Sequence, residues 1–104
     1  MLIFPLKKQW YEKIKSGEKT IEYREVKPYW RSRFYNEIGF FPEQTQVMKP
    51  VPCKLRLGYT KEYLKACISF IEVVDGKNTD LAIDKPVYAI HLIDVREIEH
   101  EESV

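Results

Sequence analysis

The stretch Ser16-Gly17-Glu18-Lys19-Thr20-Ile21-Glu22-Tyr23-Arg24-Glu25-Val26-Lys27-Pro28-Tyr29-Trp30 sets the architecture. Gly17 stands where a left-handed helix stop belongs, after the helical spacing of Trp10 and Ile14. Lys19 to Lys27 then alternates as a strand. Ile21 and Tyr23 share one face, and Thr20, Glu22, Arg24 and Val26 share the other. Pro28 closes the strand and suits the first turn of a second helix. That helix runs through Tyr29–Asn36, with Trp30 and Phe34 four apart and Gly39 as its stop. The segment therefore reads helix, strand, helix.

Working outward, Leu2, Ile3, Phe4 and Leu6 predict a short apolar strand before the first helix. That helix spans Lys7 to Ser16 and is too short to stand alone, so Trp10 and Ile14 are expected to pack on a sheet. Residues 40–52 contain three prolines and predict an irregular connection. Cys53, Leu55, Leu57 and Tyr59 alternate with Lys54, Arg56 and Gly58, as in a half-buried strand. Lys61 to Ala66 suggests a helical turn, and Cys67–Val74 a β-branched strand ended by Asp75-Gly76. Lys77–Lys85 is a polar loop. Val87–Ile98 is a third long strand, apolar on both faces at first and hence covered on both. The fold class expected is α+β, mainly β: a small mixed barrel of five or six strands, with two short helices flanking the strand quoted above.

The chain has 104 residues, enough for one domain, 1–104, with an acidic tail from about 99. With 44% hydrophobic and 13% aromatic residues it is not disordered by composition. Its net charge of +1 argues against coating a nucleic-acid duplex, but the sum hides a gradient. Residues 1–36 hold nine basic and four acidic side chains, residues 37–74 five and four, and residues 75–104 three and eight. A basic end hints at an anionic partner; folding can also mix the two ends and cancel the effect. The apolar start, Met1-Leu2-Ile3-Phe4-Pro5-Leu6, is neither a leader nor a membrane span, and no membrane association is expected. Cys53 and Cys67 lack metal spacing and are expected to be reduced, in a cytoplasmic protein.

The chemistry concentrates in the quoted stretch. Glu22 and Arg24, two apart on a strand, project from one face roughly 7 Å apart. Lys19 and Arg24 only donate hydrogen bonds, whereas Glu22 accepts. Such a trio can read the polar edge of a ring or a phosphate; a surface ladder of ion pairs would have the same spacing.

Gly17-Glu18-Lys19-Thr20-Ile21-Glu22-Tyr23-Arg24 fits the pattern GxKxxExR and resembles the signature of the ASCH domain, a member of the PUA-like superfamily of small β-barrels. The extension Glu25 to Trp30 is similar to compact ASCH proteins of bacteria and their phages. The resemblance implies a PUA-like barrel with a cleft walled by the signature strand and the helix before it. It implies an RNA, nucleotide or modified-nucleoside partner; no cofactor is expected, and the spacing of the cysteines and histidines offers no metal site. On that reading Lys19, Glu22 and Arg24 bind the ligand, and Lys19 and Glu22 are the candidates for catalysis if the protein is an enzyme. Some ASCH members resemble amidohydrolases acting on N4-acetylcytidine, and ribonuclease activity has been suggested for others. In the amidohydrolase branch a Thr stands where this chain has Glu22, and a carboxylate does not replace an activated hydroxyl in acyl transfer. The downstream Glu of that branch has Glu72 as its candidate here. A protein-interaction domain is the remaining alternative.

Lys7, Lys8, Lys13, Lys15, Lys19, Lys27, Arg31 and Arg33 are interleaved with Tyr11, Tyr23, Tyr29, Trp30, Phe34 and Tyr35. Cations hold phosphates and aromatic faces stack bases. Trp10, Trp30 and Phe34 have core spacing, while Tyr29 and Tyr35 are expected to be exposed. Lys27 and Tyr29 join the candidate binding set. Tyr59 and Thr60 follow Gly58 at a strand end and join it too, because polar residues there tend to face the cleft in the family. His91, mid-strand among apolar neighbours, is expected in the core; His100 belongs to the tail.

Overall fold

The computed structural model describes residues 1–43 and 49–98. Five strands form one sheet that curls into a half-barrel, with two helices packed on it. In chain order these are β1 (Leu2–Leu6), α1 (Lys8–Lys15), β2 (Ile21–Glu25), α2 (Pro28–Ile38), β3 (Val51–Leu57), β4 (Tyr63–Asp75) and β5 (Pro86–Glu97). The α+β, mainly β class with five strands is what the patterning predicts. The acidic tail and His100 lie outside the described residues, as does the middle of the connection 40–52.

The sheet order is β1-β3-β4-β5-β2. β1 runs parallel to β3, with Leu2 opposite Cys53 and Leu6 opposite Leu57. The other neighbours are antiparallel. Among the described residues β2 pairs only with β5, placing Glu22 opposite Ile90 and Ile21 opposite His91. The strands earliest in the chain thus form the two edges, and the later strands lie between them.

The core joins Leu2, Phe4 and Leu6 of β1 to Leu55, Leu64, Ile68, Tyr88 and Ile90, all at most 3% exposed. Val87, Tyr88, Ala89 and Ile90 are buried in succession, as the two-faced apolar run requires. Phe34 of α2 is fully buried, stacked with Trp30, tilted against Phe4 and edge-on to Tyr88. Gly17 and Gly39 take φ values of 86° and 90°, the left-handed stops expected of them.

Four expectations need correction. Lys61 to Ala66 is not a helical turn; β4 begins at Tyr63, with Leu64 and Ala66 facing the core and Lys65 outward. Pro52 lies inside β3 rather than in the connection. The buried face of α1 is Tyr11 and Ile14, and Trp10 is turned out of the core. His91 is half-exposed on the outer face of the sheet, its ring tilted on Phe70 and its Nε2 2.7 Å from Glu72 Oε2. Cys53 and Cys67 are free thiols. Burial of Cys53 pushes its pKa up to about 12, so it packs as a small hydrophobe.

Candidate functional site

The turn after α1 aims Lys19. Ser16 Oγ donates to Lys13 O, Gly17 N to Ile14 O, and Lys19 N reaches back to Lys13 O at 3.0 Å. The Lys19 side chain is thereby held against α1 and the start of β2, and is only 9% exposed. Its ammonium lies 5.2 Å from the ring centre of Trp10 and 5.0 Å from that of Tyr23. It forms an ion pair with Asp80, and Glu22 Oε1 stands 3.6 Å away.

Glu22 faces inward from β2 and is the only charged residue that is buried among the described residues. Its Oε2 accepts from Arg24 Nη2 at 2.8 Å and from Arg24 Nε at 3.1 Å. The same Nη2 donates to Pro5 O at 2.7 Å. Arg24 also lies 5.5 Å from the Phe4 ring centre and 5.2 Å from that of Trp30. Phe4 and Pro5 belong to β1, at the opposite edge of the sheet. One guanidinium therefore ties the two edge strands together where, among the described residues, no backbone ladder joins them.

Lys19, Glu22 and Arg24 converge as one chain of charges, with Glu22 in the middle. They do not play one part. An open cleft of about 360 Å³ is lined by Trp10, Lys13, Glu18, Lys19, Thr20, Ile21, Tyr23 and Asp80. Lys19 faces it, while Glu22 and Arg24 form the support behind. Ligand-sized pockets begin at about 300 Å³, so the space suits one small ring system. Burial, followed by the charges of Asp80 and Glu72, pushes the Tyr23 hydroxyl's pKa upward. It remains a neutral donor at physiological pH.

The other candidates lie elsewhere. Lys27 immediately precedes α2 without a side-chain capping bond, and pairs with Glu25 at 3.2 Å. Tyr29 is exposed and carries the Arg33 guanidinium 3.8 Å above its ring; both line a separate cleft with Met1, Leu2, Ile3, Asn36 and Glu37. Tyr59 and Thr60 sit in the turn from β3 to β4. Tyr59 is 89% exposed, and the Thr60 hydroxyl donates to Leu57 O to hold the turn. None of these four lines the Lys19 cleft.

The basic N-terminal third is likewise divided. On α2, Arg31 pairs with Glu43 and lies on the Phe41 ring, and Arg33 rests on Tyr29. On α1, Lys15 reaches Glu97, while Lys13 lines the cleft beside Trp10.

Sequence reasoning missed Trp10 and Asp80 as cleft residues, and had Lys13 only as one of many cations of the basic third. Trp10 carried a signal of the wrong kind, since its spacing with Ile14 reads as core. Asp80 carried none, lying in a polar loop far along the chain from Lys19.

The chain matches no protein-family model, no curated protein and no solved structure. Among the described residues no three His, Cys, Asp or Glu side chains gather as metal ligands, and no helix is long and apolar enough to cross a membrane.

Proposed function

We propose that this protein is an ASCH-type domain that binds a nucleotide or a short single strand of RNA in the Lys19 cleft. The observation that carries the reading is the setting of Lys19: an ammonium presented between the Trp10 and Tyr23 rings at the wall of a cleft sized for one base. An aromatic face accepts any base by stacking, worth about 1–3 kcal/mol. Donors on Lys19 and Tyr23 and acceptors on Asp80, Glu18 and Thr20 surround the ring edge. Lys13, exposed beside Trp10, is placed to meet the phosphate of the same nucleotide. Glu22 and Arg24 act by holding Lys19 rather than by touching the ligand. The GxKxxExR resemblance supports the same reading, because the signature supplies the cleft's ammonium and its support.

Trp10 supplies the readout. Tryptophan fluorescence is titrated with the four ribonucleosides, their monophosphates and short RNAs, at low and high salt. The expected result is saturable quenching, abolished in Lys19→Ala with the circular dichroism spectrum retained. The absence of saturable binding across the panel, or equal binding by Lys19→Ala, would overturn the proposal.

A further inference from the structure

The connection from β4 to β5 is built to deliver one carboxylate. Gly76 N donates to Lys85 O at 2.8 Å, and Ile83 N returns to Gly76 O at 3.2 Å, pinching the loop at its base. The Thr79 hydroxyl donates to Gly76 O at 2.9 Å and accepts from Leu81 N at 3.2 Å. A Cβ on Gly76 would stand 2.6 Å from the Lys85 carbonyl oxygen and 2.8 Å from that of Ile83, so only glycine fits. Ala82 is held at φ 48°, a left-handed conformation that a side-chain-bearing residue adopts at a cost in free energy. This framework sets Asp80 against the Lys19 ammonium, the sole ion pair of Asp80 among the described residues.

The consequence is electrical. Lys13, Lys19 and Arg24 lie in or behind the cleft, and Glu18, Glu22 and Asp80 balance them. Without Asp80 the balance would be positive, and Lys19 would offer phosphate an ammonium with a free side. With Asp80 in place, a phosphate reaching Lys19 meets two carboxylates.

We propose that Asp80 is the anion filter of this cleft: it occupies Lys19, keeps phosphate out, and leaves the space to the uncharged ring of the ligand. The identity of that ring as a nucleobase rests on the function proposed above; the exclusion of phosphate rests on charge alone. A nucleotide then enters base first, with its phosphate outside.

The test uses the full chain, with Asp80→Asn and Asp80→Ser as two variants that remove the charge with different shapes. Asp80 is one-third exposed, so neither variant opens the core. Each protein is titrated by NMR with inorganic phosphate at constant ionic strength, following the Trp10 indole signal, and separately with cytidine and adenosine. Both variants should bind phosphate about tenfold more tightly than the wild type, the size of effect expected from removing one like charge at close range. Wild-type protein that binds phosphate at Trp10 as tightly as the variants overturns the filter. Gain of phosphate binding in the variants, with no nucleoside binding by the wild type, upholds the filter and removes the nucleotide reading. Nucleoside binding with unchanged phosphate affinity in both variants does the reverse.

Discussion

Arg24→Ala is the perturbation that reports most directly on how the half-barrel is held. The substitution removes both hydrogen bonds to Glu22 Oε2, the bond to Pro5 O, and the packing of the guanidinium beside Phe4 and Trp30. Glu22, with a side chain 9% exposed, would keep only Lys19 at 3.6 Å. Breaking a buried pair from one side costs about 3–5 kcal/mol. Arg24 is 20% exposed, which puts its share near the lower end, about 3 kcal/mol. The lost bond to Pro5 O adds about 1 kcal/mol. A domain of this size has about 5–15 kcal/mol in total, so the variant folds but with little margin. At a urea slope of about 1.5 kcal/mol per M, the midpoint should fall by more than about 2 M. The assay is equilibrium urea unfolding followed by tryptophan fluorescence. The double variant Glu22→Gln with Arg24→Met removes both charges together and should recover most of the loss. An Arg24→Ala cost below about 1 kcal/mol, or a double variant whose loss is the sum of the two singles, would refute the clasp.

Three further outcomes follow from the same geometry. Gly76→Ala drives a Cβ into two backbone carbonyls and should cost about 1–3 kcal/mol by thermal melting, with weakened discrimination against phosphate because the loop can no longer seat Asp80. Trp10→Ala should lower nucleoside affinity about 5- to 150-fold by calorimetry, the equivalent of one lost stack, while stability changes little because Trp10 is only partly buried. At the far side of the core, Glu43 accepts from the buried Tyr88 hydroxyl at 2.6 Å and from Arg31. Burial works to raise the Glu43 pKa, but Tyr88, the Glu43 backbone amide and Arg31 overcome it and hold the value below the ordinary one. A depressed folded pKa stabilises above the unfolded pKa and is lost as pH falls through the folded value. Urea midpoints should therefore decline on acidification below about pH 5, and Tyr88→Phe should flatten that decline while costing about 1 kcal/mol at neutral pH.

The strands and helices were legible where one local force acted alone. Gly17 and Gly39 announce their stops because each takes a positive φ that other residues resist. Val87 to Ile90 announces a buried strand because four successive apolar residues have no solvent face to offer. Legibility failed where two forces competed. Trp10 and Tyr11 are adjacent, so Ile14 can share a helical face with either, and only the sheet beneath α1 selects Tyr11. Lys61 to Ala66 contains good helix formers, yet the ladder with β3 overrides them. The apolar neighbours of His91 suggested a core position, but the strand's period of two turns its side chain outward. Within the site, the sequence grouped Lys19, Glu22 and Arg24 as one binding set; that Glu22 and Arg24 stand behind the cleft, and that Asp80 joins it, became visible only when the chain was folded.

The placement of the edge strands fixes when this chain can fold during its synthesis. β1 finds its parallel partner only when β3 has emerged, and Ile21 of β2 must wait for His91. The basic N-terminal third therefore leaves the ribosome with no sheet to join, its apolar edges exposed until nearly the whole described chain is made. Any transcript or protease that stops the chain short of β5 leaves β2, and the Lys19, Glu22 and Arg24 that start from it, without a ladder to hold them.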